Sequence, residues 1–154
     1  MAREIERKFI INKLPENLEK YPNSKISQGY LIITEHMEIR LRSKDGLFYQ
    51  TVKTGSGLNR NEYEIELAKD QFDKLWALTK GNRVNKTRYD IDFDNYIIEL
   101  DIYEGDLSRL VTAEVEFTSD EVSNNFEPPD WFGEDITLDK RYKNQSLALK
   151  GIPD

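Results

Sequence analysis

Glutamate, aspartate, lysine and arginine recur at every second position through much of this sequence, and that spacing sets out a chemistry. Glu4, Glu6 and Lys8 alternate with Ile5 and Phe9, and Glu38, Arg40 and Arg42 alternate with Ile39 and Leu41. Arg60, Glu62, Glu64 and Glu66 are set against Tyr63, Ile65 and Leu67. Lys86, Arg88 and Asp90 continue the pattern, as do Glu99 with Asp101 and Glu114 with Glu116. On an extended chain, residues i and i+2 share a face and stand about 6.5 to 7 Å apart, so long side chains can converge on one small target. Lys8, Arg40, Arg42, Lys53, Arg60, Lys86 and Arg88 would surround a compact polyanion with positive charge. Arginine forks match phosphate oxygens in pairs, while lysine acts as a point charge. Glu4, Glu6, Glu114 and Glu116 would supply hard oxygen ligands, which together with phosphate oxygens suit Mg2+ or Mn2+. A polyphosphate held with a divalent metal satisfies both halves of the pattern.

The elements that must position these groups are mostly strands. Between turn signals such as Pro22-Asn23-Ser24, Asp45-Gly46, Gly55-Ser56-Gly57 and Gly105-Asp106 lie short segments rich in Ile, Val, Tyr, Phe and Thr, as in an antiparallel β unit. They predict strands near 3–11, 25–34, 37–43, 47–54, 60–67, 83–92, 95–103 and 111–118. Asp45-Gly46 is a tight hairpin turn, since glycine tolerates positive φ. Phe72, Leu75, Trp76 and Thr79 follow helical spacing and Gly81 suits a C-cap, which predicts a surface helix over 69–80. Thr118 followed by Glu121 resembles a capping box for a short helix that ends before Pro128. A third helix is expected over roughly 140–150.

Length and composition bound what this array can serve. The 154 residues fit one domain spanning 1–154. No apolar run reaches the ~18 to 20 residues of a membrane span, and the N-terminus lacks the basic-then-apolar order of a signal peptide. A soluble, cytoplasmic protein is expected. The absence of cysteine excludes disulfides and zinc-thiolate sites, and a single histidine, His36, excludes a histidine-rich metal centre. Against 29 acidic residues stand 22 basic ones, a net charge of −7, so general nucleic-acid binding is not expected.

A sheet with one wet face and one buried face is ordinary, but a wet face usually mixes in Ser, Thr, Asn and Gln. Here it is almost purely ionic. About eight strands suffice to close a barrel and remove its edges. If the barrel closes, the helices cover its apolar exterior and the charges point inward. Desolvating those charges would cost several kcal/mol each unless they are paired or solvated. The expense makes sense in a wet tunnel for a highly charged ligand.

Glu4-Ile5-Glu6-Arg7-Lys8 resembles the ExExK signature of the CYTH superfamily, the triphosphate tunnel metalloenzymes. Further likenesses follow in order: Glu38-Ile39-Arg40-Leu41-Arg42, Val52-Lys53, Arg60 with Glu62-Tyr63-Glu64, Lys86-Thr87-Arg88-Tyr89, Glu99-Leu100-Asp101 and Glu114-Val115-Glu116-Phe117. Asp139-Lys140-Arg141-Tyr142-Lys143-Asn144 resembles the closing segment of small bacterial members. The resemblance implies a mainly β, α+β fold: an eight-stranded antiparallel closed tunnel with a charged interior and a few helices outside. It implies Lys8, Arg40, Arg42, Lys53, Arg60, Lys86 and Arg88 as a phosphate clamp. Glu4, Glu6, Glu114, Glu116 and Asp101 stand at metal-ligand positions. Glu62 and Glu64 are implied to orient the clamp or the attacking water, and Lys140 to close the tunnel's end.

In Gln28-Gly29-Tyr30, parity puts Gln28 and Tyr30 together on the inner face. Ammonium and guanidinium neighbours favour a phenolate, so Tyr30 beside Lys86 is a candidate base for activating water, as in small bacterial triphosphatases. The reaction expected is metal-assisted hydrolysis of a terminal phosphoanhydride. A linear inorganic triphosphate needs only phosphate contacts, whereas a nucleotide or thiamine needs a pocket for its organic part. Tyr49, Tyr63, Tyr89 and Tyr103 are explained by strand packing, and the short chain leaves little for a second lobe. Inorganic triphosphatase activity is therefore expected ahead of class IV adenylate cyclase, thiamine triphosphatase or non-catalytic polyphosphate binding. The partner is a small polyanion, and a homodimer remains open. Gly55-Ser56-Gly57 reads as a hairpin tip, His36 as exposed, and Trp76 and Trp131 as packing residues.

Overall fold

The computed structural model describes residues 5–56 and 59–154, apart from the side chains of Ser56, Asn59 and Arg60. Glu4, Gly57 and the Arg60 side chain, all named above, lie outside the described residues. Among the described residues nine strands appear where eight were expected: β1 (Ile5–Ile11), β2 (Asn23–Ile33), β3 (Met37–Lys44), β4 (Leu47–Ser56), β5 (Asn59–Leu67), β6 (Arg83–Phe93), β7 (Tyr96–Tyr103), β8 (Val111–Phe117) and β9 (Phe132–Asp135). They form one sheet in the order β5-β4-β3-β2-β6-β7-β8-β1-β9. Among the described residues no ladder joins the end strands, so the expected closure by hydrogen bonding is not found. The helices are α1 (Lys69–Trp76), α2 (Asp120–Asn125) and α3 (Asn144–Lys150).

The chain separates into two compact units, Met1–Ser24 with Thr87–Lys140, and Lys25–Lys86 with Arg141–Asp154. In the first unit, the expected alternation sorts side chains between the two faces of the sheet. Phe9, Ile11, Ile91, Ile98, Leu100, Ala113, Val115 and Phe117 build the apolar face, and Phe126 covers it from beyond α2. Phe126 packs 5.2 Å from the Phe117 ring and 5.3 Å from that of Tyr96. Trp131 joins this cluster as a packing residue. Arg7 ties the covering segments to β1. Its Nη1 donates to the Ser123 carbonyl at 2.9 Å and its Nη2 pairs with Asp135 at 3.0 Å.

Two elements of this unit depart from expectation. The cap of α2 is Ser119, whose Oγ accepts from Val122 N at 3.1 Å, one residue beyond the predicted Thr118. Both are hydroxyl residues suited to capping, and only the helix start separates them. Strand β9 pairs with β1 through Phe9↔Asp135 and Ile11↔Phe132. Gly133 lets the two backbones approach, because a Cβ there would meet the Ile10 carbonyl at 2.6 Å.

In the second unit, β2 to β5 form an antiparallel meander. Asp45 and Gly46 both take positive φ between the paired ends Lys44 and Leu47, as the tight turn requires. The predicted helix 69–80 is α1 followed by a 3-10 turn over Ala77–Thr79. Phe72 is buried, with its ring 4.8 Å from Phe48 and 5.2 Å from Trp76. The 140–150 segment divides into a 3-10 turn at Lys140–Tyr142 and α3. In β2 the register shifts between Tyr30 and Ile32: Tyr30 stands opposite Arg40, yet Ile32 stands opposite Ile39.

Gly29 is where β2 meets the end of α1. A Cβ there would lie 2.7 Å from the Thr79 side chain and 2.8 Å from the Trp76 ring. Gly29→Ala should therefore destabilise the protein by about 1 to 3 kcal/mol, the range for overpacking a filled site. A lowered urea midpoint with an unchanged slope is the expected reading. An unshifted midpoint would mean that the contact yields freely.

Candidate active site

Each unit presents an ionic face opposite its apolar one. In the first unit, register sets Glu6 opposite Glu116 and Lys8 opposite Glu114 on β1 and β8, and Glu99 opposite Glu114 on β7 and β8. Like charges directly opposed on neighbouring strands repel. Cations stand beside Glu114 and Glu99: Lys8 Nζ lies 3.7 Å from Glu114, and Arg88 Nη1 donates to Glu99 at 3.0 Å. Glu6 and Glu116 form the more exposed pair. Among the described residues, no group of three Asp, Glu or His side chains is gathered to hold a metal ion.

Arg88 and Asp101 are locked to each other. Asp101 is wholly buried, and both of its oxygens are taken by Arg88, Nε to Oδ1 at 2.8 Å and Nη2 to Oδ2 at 2.9 Å. Burial disfavours the Arg88 charge, but the hydrogen bonds and charge of Asp101 more than offset it, so the guanidinium stays protonated more firmly than usual. Burial lifts the Glu99 carboxyl above its ordinary range. Arg88 opposes that shift, while Glu114, Asp101 and Asp90 add to it. Glu99 was named in the alternation but given no role. Its contact with Arg88 depends on the arrangement of β6 against β7, which spacing within one strand does not disclose.

In the second unit, Gln28 and Tyr30 of β2 stand opposite Arg42 and Arg40 of β3. Those arginines stand opposite Tyr49 and Thr51 of β4, which in turn face Glu66 and Glu64 of β5. A parallel row runs Glu38, Lys53, Glu62. Gln28, Tyr30 and Lys86 are buried, with Lys86 only 1% exposed. Arg40, Arg42 and Lys53 are half-buried, and Glu62 and Glu64 are exposed. Thr51 Oγ1 donates to Glu64 at 3.4 Å. The Nε of Arg40 is buried without a hydrogen-bond partner, which marks a place for an acceptor. Lys140 is exposed at the end of the first unit.

Tyr30 corrects the expectation of a phenolate. Burial pushes its hydroxyl up to about 12, against the lowering effects of the Gln28 hydrogen bond and of Arg40. Gln28 Nε2 donates to the Tyr30 oxygen at 2.7 Å, so the phenol proton is free to be donated elsewhere. An unfolded tyrosine ionises near ~10. The contribution of Tyr30 to stability is thus constant below that pH and is lost as pH rises from about 10 through about 12. Tyr30→Phe should flatten this part of the alkaline denaturation curve. An unchanged curve would assign the slope to other groups.

Ionic faces of this kind, carried by an antiparallel sheet, are those of a CYTH protein. The CYTH domain model matches residues 2–150, and the chain belongs to that family, which implies dependence on a divalent metal. It is 46% identical to an inorganic triphosphatase of Nitrosomonas europaea over 95% of this chain and 97% of the relative. To an inorganic triphosphatase of Acetivibrio thermocellus it is 33% identical, over 96% and 94%. The crystal structure of the inorganic triphosphatase NE1496 superposes with a TM-score of 0.82 at 42% identity, covering 100% of this chain and 99% of the other. No helix among the described residues is long and apolar enough to cross a membrane.

Proposed function

We propose that this protein is a metal-dependent hydrolase that splits inorganic triphosphate with water into pyrophosphate and orthophosphate. The observation that carries the reading is the register of the ionic faces: Glu6 against Glu116 in one unit, and Arg40 and Arg42 in line with Tyr30 and Gln28 in the other. Full-length likeness to relatives named inorganic triphosphatase supports the same substrate.

In this reading Glu6, Glu114 and Glu116, with Glu4, would hold Mg2+ or Mn2+, the ion drawing together carboxylates that, among the described residues, are not gathered without it; such ions prefer a few carboxylates completed by water and phosphate oxygens. Held by those carboxylates, such an ion would supply polarisation of a phosphoryl oxygen and compensation of transition-state charge. Arg40, Arg42, Lys53, Arg60, Lys86, Arg88 and Lys8 neutralise and align the phosphate chain. Glu62 and Glu64 orient the clamp or the water, and Lys140 closes the end of the site. Tyr30 keeps its proton at neutral pH and serves as a hydrogen-bond donor.

The test compares phosphate release from tripolyphosphate and from ATP, together with cyclic AMP formation, in Mg2+ and in Mn2+. Faster release from tripolyphosphate is expected. Cyclic AMP as the main product would replace the reading with a cyclase. Tight binding of tripolyphosphate without hydrolysis over hours would make the protein a polyphosphate binder.

A further inference from the structure

On the ionic face of the first unit, one side chain named as a metal ligand is instead engaged by a guanidinium. Asp101 stands at a metal-ligand position of the pattern, yet it is fully buried and each of its oxygens receives an Arg88 N–H, at 2.8 and 2.9 Å. A carboxylate committed on both oxygens to a bidentate guanidinium has little capacity left for a cation, and the positive charge beside it repels one. Arg88 is held on a second side as well, where Nη1 donates to Glu99 at 3.0 Å. Of the five N–H bonds of a guanidinium, three are then used. One remains on each of Nη1 and Nη2.

We propose that Asp101 is a positioning residue, whose buried carboxylate locks the Arg88 guanidinium so that its remaining N–H bonds meet a phosphoryl oxygen of the substrate. The proposal rests on the triphosphatase reading. A lone arginine side chain pays rotamer entropy for each contact it makes, whereas one already fixed by a fork does not. Glu99 is the lesser support, since it makes a single hydrogen bond and is partly solvent-facing, with its side chain 38% exposed.

Asp101→Asn puts an amide N–H2 where an acceptor is needed, and so breaks the fork while conserving shape. Three measurements separate positioning from metal ligation: the kinetics of tripolyphosphate hydrolysis, the Mg2+ concentration for half-activation, and tripolyphosphate binding in a metal chelator. Asp101→Asn should lower kcat/KM about 10- to 100-fold and weaken chelator-phase binding at least several-fold. Half-activating Mg2+ should stay within about twofold of its wild-type value. Arg88→Lys, which keeps Asp101, should reproduce these effects even if Asp101→Asn proves unstable. Adding Asp101→Asn to Arg88→Lys should cost little more, because both act through one group. A tenfold rise in half-activating Mg2+ for Asp101→Asn would overturn the proposal, as would tighter chelator-phase binding or wild-type behaviour of Arg88→Lys. If the wild-type protein itself neither binds nor splits tripolyphosphate, the triphosphatase reading is what falls.

Discussion

Glu116→Gln should leave tripolyphosphate binding nearly intact and lower metal-dependent kcat on the order of 1,000-fold. The variant keeps shape and hydrogen-bonding capacity but removes one of two negative charges that face each other on β1 and β8. Losing a charged ligand weakens the hold on the divalent ion, whose stabilisation of transition-state charge amounts to several kcal/mol, and each 1.36 kcal/mol is tenfold in rate. Folding should not suffer, because relieving the repulsion with Glu6 favours the native sheet. Phosphate release measured across a range of Mg2+ concentrations reads the effect. A raised KM with kcat preserved would move Glu116 from the metal to the phosphate side of the site.

Arg40→Ala has the opposite signature. KM for tripolyphosphate should rise about 100-fold with a smaller change in kcat, since hydrogen bonds to charged groups contribute ~1.5 to 3 kcal/mol each. Arg40 stands opposite Tyr30 and Thr51 and carries a buried Nε with no partner. In the resting protein that N–H is an unanswered donor, and a phosphate oxygen would satisfy it. Lysine at this position should recover only part of the affinity, because it restores charge without the fork. If Arg40→Ala instead removed turnover at unchanged KM, the separation of clamp from metal site would be wrong.

Much of this arrangement was legible in the sequence because strand geometry has a period of two. The alternation of Glu6 and Lys8 with Phe9, or of Glu114 and Glu116 with Val115, is a direct statement about faces, and the apolar cluster and ionic rows follow it. What parity could not convey is which charge meets which. Asp101 and Glu116 look alike in the sequence, yet one is sealed against Arg88 and the other is exposed. The Tyr30 hydroxyl is less acidic than its neighbours suggest, for a related reason. Its cationic neighbours can be counted from the pattern, but the depth of its burial, which outweighs them, depends on the packing around β2. Strand β9 is four residues long and lies just after Pro128-Pro129, and its extended form depends on the free edge of β1.

The irregularity at Leu31 has an evolutionary consequence. Within a regular strand, an inserted or deleted codon would exchange inside for outside all the way along, so such strands can drift by substitution but hardly by length. Between Tyr30 and Ile32 the strand already carries its odd residue, and even-numbered positions change allegiance there, from the arginine side to the isoleucine side. That one supernumerary residue acts as a phase marker: relatives that lost it would have to rewrite every side chain beyond it.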